Sequence, residues 1–465
     1  MEKSQTPIID SIEKYLKEAN FRFHTPGHRG GKNISKKIRR LKAFEWDITE
    51  VEGVGNLFIE QGPIYLSELK TAQIYNVQRT LFFTQGSSSA IHTALLAIAK
   101  KTKRILIPRN AHSSVINGLI ISGLDPVWYN AKIDQNSFFE PFDVNEVVSL
   151  IEENKDIKAV FVQNPTYEGL SGDIKALAKY CQNNGIILIV DEAHGAHWVI
   201  SDKLPISATK VNSDIIIQSP HKTLPAFTGA AYLHINNDKM IEPCIQSRRI
   251  IHSTSPSYLT LASLDSMNYY LVFEAEKLYE ELRNISDNIV SLAKKLNNIE
   301  VIKNENNFDY TKINLKFCVK KQKVSDIFLK YGIIIEKWSG NIALFLLTPS
   351  VSPDEINCLT KALDEVSKLK CYITQNEKNK EYCLPKKAMK LKDAYLSVTE
   401  LVDFEQAVGR ISANVIMEIP PGIPLLVPGE VISHNLSKQL EKLSNIGKLS
   451  GIVSKQQKQL ISVVK

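Results

Sequence analysis

Asp214-Ile215-Ile216-Ile217-Gln218-Ser219-Pro220-His221-Lys222-Thr223 runs a block of isoleucines straight into a polar turn. A short apolar run closed by turn chemistry reads as a buried strand of a parallel sheet. Upstream, Gly185-Ile186-Ile187-Leu188-Ile189-Val190 repeats the pattern and ends on Asp191-Glu192-Ala193-His194-Gly195. Leu81–Phe83, Arg104–Ile107, Ala159–Gln163 and Ala231–Ile235 are further candidates, with amphipathic stretches such as Ile174–Gln182 between several of them. This alternation, from about residue 80 to 236, predicts an α/β domain built on a mostly parallel, doubly wound sheet. Such sheets take ligands at the C-terminal ends of their strands. Five candidate strands end there in polar or Gly-rich residues. The first three ends are Gln85-Gly86-Ser87-Ser88-Ser89, Asn110-Ala111-His112 and Asn164-Pro165-Thr166, and the others are the Asp191 and Ser219 stretches. All five are expected on one rim.

The composition frames this reading. At 465 residues, 43% hydrophobic and 23% charged, the chain is neither disordered nor collagen-like. A net charge of +7 is a mild excess for this length and does not read as a nucleic-acid footprint. No apolar run approaches the roughly 20 residues of a membrane span. Cys181, Cys244, Cys318, Cys358, Cys371 and Cys383 form neither CxxC nor zinc-finger spacing, so reduced thiols and a cytoplasmic setting are expected. The N-terminus lacks an apolar signal core. Thr6 can cap a helix with Pro7 at its first position and Ile8, Ile12 and Leu16 on one face.

Beyond about residue 280 the pattern changes. Ile285, Ile289, Leu292 and Leu296 mark a helix, Asn314–Val319 and Ile342–Leu347 read as strands, and Ser352 with Glu355 has capping-box spacing. Residues 368–392 carry eight lysines and little apolar content, which reads as a linker. Glu418-Ile419-Pro420-Pro421-Gly422-Ile423-Pro424 and Val427-Pro428-Gly429-Glu430 suggest an irregular path along one wall of a pocket. The expected division is an N-terminal helix and interface segment (1–60), a large cofactor-binding domain (61–280) and a small α/β domain (281–370). A Lys-rich linker (371–392) and a C-terminal α+β domain (393–465) follow.

The phosphate loop GxxxxGK[ST], a GxGxxG after a strand and the GxSxG elbow are all missing. His194 and His197, even joined by His24 and His28, close no metal-ligand set, and no metal is expected. Pyridoxal phosphate fits better. It needs a lysine amine, an acid facing the pyridine nitrogen, a phosphate cup and a flat group over the ring. Lys222 supplies the amine at the rim. Asp191, ending an apolar strand, is a desolvated carboxylate that wants a cationic partner. Gly86-Ser87-Ser88-Ser89 precedes a helix whose N-terminus could cradle phosphate, and His112 could stack.

Phe23-His24-Thr25-Pro26-Gly27-His28, Asp191–Gly195 and Ser219–Thr223 resemble the Orn/Lys/Arg decarboxylases, and Pro420–Pro424 with Pro428-Gly429-Glu430 resembles that family's C-terminal domain. The resemblance covers about residues 20–435. It implies the fold of the pyridoxal-phosphate-dependent transferases (fold type I) and a homodimer or larger homo-oligomer. By the same resemblance Lys222 forms the internal aldimine and Asp191 pairs with the pyridine nitrogen. Ser87, Ser88, Ser219 and His221 hold the phosphate, while His112 stacks on the ring and Ala193 and His194 line its other side. Two departures stand out: the family's histidine-rich motif comes within about 25 residues of the start, as in a short type without the N-terminal wing domain, and Gln85 replaces an Asn common in the family. The implied activity is α-decarboxylation of arginine, lysine or ornithine, with Lys222 or His221 returning a proton to Cα. Glu430, Glu50 and Glu52 are candidates for the substrate's side-chain cation, and Arg410 for a carboxylate or a structural ion pair. The alternatives are an aminotransferase or Cα–Cβ lyase on the same scaffold, and a non-catalytic sensor of cofactor or amine.

Overall fold

The computed structural model describes residues 4–19, 21–38, 40–302, 307–372, 384–419, 422–455 and 458–465. Seven strands form the main sheet: β1 (Arg79–Phe83), β2 (Arg104–Pro108), β3 (Asp125–Tyr129), β4 (Ala159–Gln163), β5 (Ile187–Asp191), β6 (Ile215–Gln218) and β7 (Ala231–Ile235). Their order is β1-β7-β6-β5-β4-β2-β3, and only β7 runs against the rest. The C-terminal ends of β1, β2, β4, β5 and β6 therefore share one rim, as the alternation predicts.

The burial pattern explains why these segments read as continuous apolar runs. Leu188 and Val190 of β5 pack on one side with Ile174 and Leu177 of a covering helix, while Ile189 packs on the other with Ala90 and Ala94. Both faces of the sheet are covered, so polar alternation is absent. The covering helices are α1 (Pro7–Glu18), α2 (Gly62–Ile74), α3 (Gly86–Ile98), α4 (Ser113–Ser122), α5 (Val144–Glu153) and α6 (Ile174–Asn184). The one-turn α7 (Pro220–Thr223) follows β6, and α8 (Asp238–Ile251), α9 (Tyr258–Phe273) and α10 (Ala275–Ala293) complete the wrap.

A second, fully antiparallel sheet has the order β10-β11-β9-β8, from β8 (Ile299–Ile302), β9 (Lys312–Phe317), β10 (Lys337–Ser339) and β11 (Ile342–Leu346). Behind it the helix Pro353–Ser367 begins with the expected capping box between Ser352 and Glu355. Two three-stranded sheets and the helix His434–Asn445 form the C-terminal region.

Several expectations change. Thr6 does not cap α1 with its side chain; its hydroxyl turns to Asp10, and the N–H groups of Ile8 and Ile9 donate to Asp265 at 2.9 Å each. The expected irregular path after Gly422 is partly regular, because Ile423–Leu426 is an edge strand that tolerates Pro424 beside a register shift. Pro420, Pro421, Cys383 and half of the Lys-rich linker lie outside the described residues. No helix among the described residues is long and apolar enough to cross a membrane.

Candidate active site

Asp191 closes β5 and stands in register with Ile217 of the neighbouring β6, whose chain continues through Ser219 into α7. This adjacency brings Lys222 over the end of β5. Lys222 Nζ lies 3.2 Å from His194 Nε2. Burial lowers its pKa, opposed by Asp191 and Glu336. A depressed amine pKa favours the nucleophilic, unprotonated form. Asp191 is buried, with Oδ1 accepting from the Ala193 N–H at 3.2 Å. Burial pushes its pKa up, while Lys222 and His112 pull it down. A carboxylate placed this way is stabilised by any cation that reaches it.

The remaining expected residues surround this pair. His112 precedes α4, held by its Nδ1 to the Ser114 hydroxyl at 2.8 Å, with much of its side chain exposed. Asp191 and Lys222 act on it electrostatically in opposite senses. Ala193 and His194 are buried, and Tyr167 lies against the His194 ring at 4.7 Å between centroids. His221 Nδ1 is tethered to the Ala230 carbonyl at 2.8 Å.

Ser87 and Ser88 occupy the first turn of α3, where no side chain caps the free N–H groups. Gln85, the residue departing from the family pattern, accepts instead from the Ser253 N–H. Gly86, at φ +79°, donates its N–H to Gly229 at 2.7 Å. Gly229 has φ +95°, and a Cβ there would lie 3.1 Å from the Thr84 carbonyl. Two glycines thus hold this helix start against the strand end of β7. Ser219 Oγ is fully buried and has no hydrogen-bond partner among the described residues. An unspent buried hydroxyl and an uncapped helix N-terminus, both at strand ends on the same rim, suit a phosphate. Amine, carboxylate, exposed imidazole and phosphate cup together meet the requirements of pyridoxal phosphate.

Other candidates lie elsewhere. Glu430 does not offer a free carboxylate: Arg109 grips it through two 2.7 Å hydrogen bonds, both side chains being buried. Arg410 pairs with Glu400 and the Val464 carbonyl inside the C-terminal region. Glu50 accepts from Thr49 and Glu52 is exposed; neither hydrogen-bonds the Lys222 cluster among the described residues. His24 bonds Tyr15, and His28 bonds Asp47.

The sequence reading missed Tyr167, Glu336 and Lys312. Tyr167 directly follows the Asn164-Pro165-Thr166 stretch already placed on the rim, which was its only signal. Glu336 and Lys312 arrive from the antiparallel sheet, more than 100 residues beyond the Asp191 stretch, and each looks like an ordinary surface charge.

Comparison with known proteins identifies the fold. The chain superposes on lysine decarboxylase A from Pseudomonas aeruginosa with a TM-score of 0.85 at 18% identity, covering 99% of this chain and 80% of that one. Its architecture is that of the pyridoxal-phosphate-dependent transferases, fold type I. It is 29% identical to an arginine decarboxylase of Bacillus subtilis (strain 168), over 93% of this chain and 92% of that protein. It is 23% identical to the inducible lysine decarboxylase of Escherichia coli (strain K12), over 94% and 76%. Residues 6–323 match the Orn/Lys/Arg decarboxylase major domain, and residues 373–450 match the C-terminal domain of the same family. With two thirds of its length inside the first of these matches, the chain belongs to the Orn/Lys/Arg decarboxylase family.

Proposed function

We propose that this protein is a pyridoxal-phosphate-dependent α-decarboxylase of a basic amino acid. Arginine or lysine is the favoured substrate and ornithine the third candidate, giving agmatine, cadaverine or putrescine with carbon dioxide. Likeness to arginine decarboxylases over nearly the whole chain supports arginine first. The observation that carries the reading is the pairing of a pKa-lowered Lys222 amine with the buried Asp191 on adjacent strand ends.

When bound, pyridoxal phosphate supplies an aldehyde for the substrate amine and an electron-accepting ring for the pair that carbon dioxide leaves behind. The chain does the rest. Lys222 Nζ would hold the aldehyde, and its amine is placed to act as an acid over the site. Asp191 would hold the proton of the pyridine nitrogen, and that cation would offset the cost of burying the carboxylate. The α3 N-terminus with Ser87, Ser88 and Ser219 would take the phosphate, and His112 would stack on the ring. Ala193 and His194 would line its other side. Lys222 Nζ returns the proton to Cα, with His221 beside it as the second candidate.

The second part of the reading is a homodimer or larger homo-oligomer. Phe21, Phe23, Leu41 and Ile59 expose apolar surface along residues 21–61, as expected of a segment covered by another copy. Sedimentation equilibrium at micromolar concentration should give at least a dimer, and a stable monomer overturns this part. The main test is release of amine and carbon dioxide from arginine, lysine and ornithine. One of the three should be consumed, and Lys222→Ala should reduce turnover to background. An active Lys222→Ala protein would sink the mechanism.

A further inference from the structure

Lys312 is a buried lysine with an unspent amine. It opens β9, is 2% exposed, and its Nζ has no hydrogen-bond partner among the described residues. Gly169 makes room for its stem: at φ +99°, a Cβ there would come within 3.0 Å of Lys312 Cδ. Three carboxylates lie within its electrostatic reach, Asp309, Glu168 and Glu336. Each is already engaged. Asp309 accepts from Trp198 Nε1 at 3.1 Å, from His197 Nε2 and from the Thr311 N–H and hydroxyl. Glu168 accepts from Lys337 at 2.6 Å, and Glu336 accepts from the Tyr167 hydroxyl.

His194, hydrogen-bonded to Lys222, repeats the situation. In the tautomer whose Nε2 accepts from Lys222, the ring proton sits on Nδ1. That atom is buried and also has no partner among the described residues. Lys312 and Lys222 both act electrostatically on the His194 ring and on each other. Two unspent polar groups, one on the antiparallel sheet within electrostatic reach of the Lys222 amine and one on the imidazole hydrogen-bonded to it, therefore belong to the same neighbourhood. Desolvated donors without an acceptor are costly, and an acceptor-rich anion that reaches them removes that cost.

Given the decarboxylase reading above, we propose that Lys312, together with His194 Nδ1, receives the substrate's α-carboxylate. The assignment orients the substrate. The α-carboxylate is drawn to Lys312 while the distal cation is repelled from it, so the side chain extends the other way. It also discriminates substrate from product, because the amine that remains after carbon dioxide leaves no longer carries the group Lys312 holds. Burial lowers the Lys312 pKa, and an arriving carboxylate restores its charged form.

The test uses the holoenzyme with two ligands: the α-methyl form of whichever amino acid the wild type consumes, and the corresponding decarboxylated amine. Lys312→Met should weaken binding of the carboxylate-bearing ligand by roughly ten- to hundredfold, the worth of a charge-assisted hydrogen bond. Affinity for the amine should change by less than about twofold on the same argument. In steady state KM should rise while kcat changes much less, since the lost contact belongs to the bound substrate. Lys312→Arg should recover part of the loss. Equal weakening of both ligands, or release of the cofactor from Lys312→Met on dialysis, overturns the assignment. A wild type that consumes none of the three amino acids overturns the decarboxylase reading itself, and this one with it.

Discussion

Glu192 lies one residue past Asp191 and does a different job. It is fully buried and accepts from Ser207 Oγ at 2.7 Å, the Ala208 N–H at 2.7 Å and Gln218 Nε2 at 2.6 Å. Gln218 Oε1 meets His234 Nε2 at 3.1 Å, and His234 Nδ1 meets Thr80 Oγ1 at 2.8 Å. A chain of side chains thus ties β5 to β6, β7 and β1 behind the site. Burial pushes the Glu192 carboxyl from 4.5 up to about 7, against the pull of its donors. A raised pKa means that its favourable contribution is complete below about pH 4.5 and is lost as pH rises through 7. Glu192→Gln keeps a hydrogen-bonding amide without this titration. Melting temperatures at pH 5.5 and 8 should therefore fall further in the wild type than in Glu192→Gln, and equal declines would refute the assignment. The stretch Asp191-Glu192 was visible in the sequence, yet only Asp191 could be given a role. Successive residues leaving a strand point to opposite sides, and which side faces the cleft depends on Ser207 and Gln218, not on local pattern.

At the scale of elements, legibility followed burial. β4, β6 and β7 were readable to the residue, because each is a mostly apolar, almost fully buried run. β3, Asp125–Tyr129, was missed: it is an edge strand that opens on Asp-Pro and exposes part of its surface. The helix α1 was found from Pro7, Ile8 and Ile12, but its cap was not, since Asp265 is 257 residues from Ile8. Asp265 also accepts from Ser67 on α2, so a single carboxylate on α9 fastens two other helices. Asp265→Ala leaves two helix N–H groups without an acceptor and should cost about 1–3 kcal/mol. Denaturant unfolding measures the cost. Amide exchange should quicken first within residues 7–18, and unchanged protection there would show that α1 is held by its apolar face alone.

Across the whole molecule, a buried ion pair helps join the C-terminal region to the main sheet, beside Leu391 and Val427, which pack into the main core. Arg109, just past β2, binds both oxygens of Glu430 and the carbonyls of Pro424 and Leu425. Glu430 also accepts from the Val427 N–H at 2.9 Å. Removing one partner of such a pair leaves a desolvated charge, so Glu430→Ala should cost about 3–5 kcal/mol in thermal or denaturant unfolding. Its relative activity on arginine, lysine and ornithine should stay as in the wild type, because Glu430 holds Arg109 and not substrate. A changed preference would return Glu430 to the substrate site.

By itself, the sequence determined the sheet, its chemical rim and the pairing of Lys222 with Asp191. These follow from local apolar runs and the turns that end them, and a parallel sheet leaves few ways to arrange such runs. Only the tertiary structure decided which charges are free. Glu430 looked available and is consumed by Arg109, whereas Lys312 looked like surface and is a desolvated amine with no hydrogen-bond partner among the described residues. The physical reason is that a charge's role depends on the solvent and counter-charges around it, and contacts between residues far apart in sequence set both.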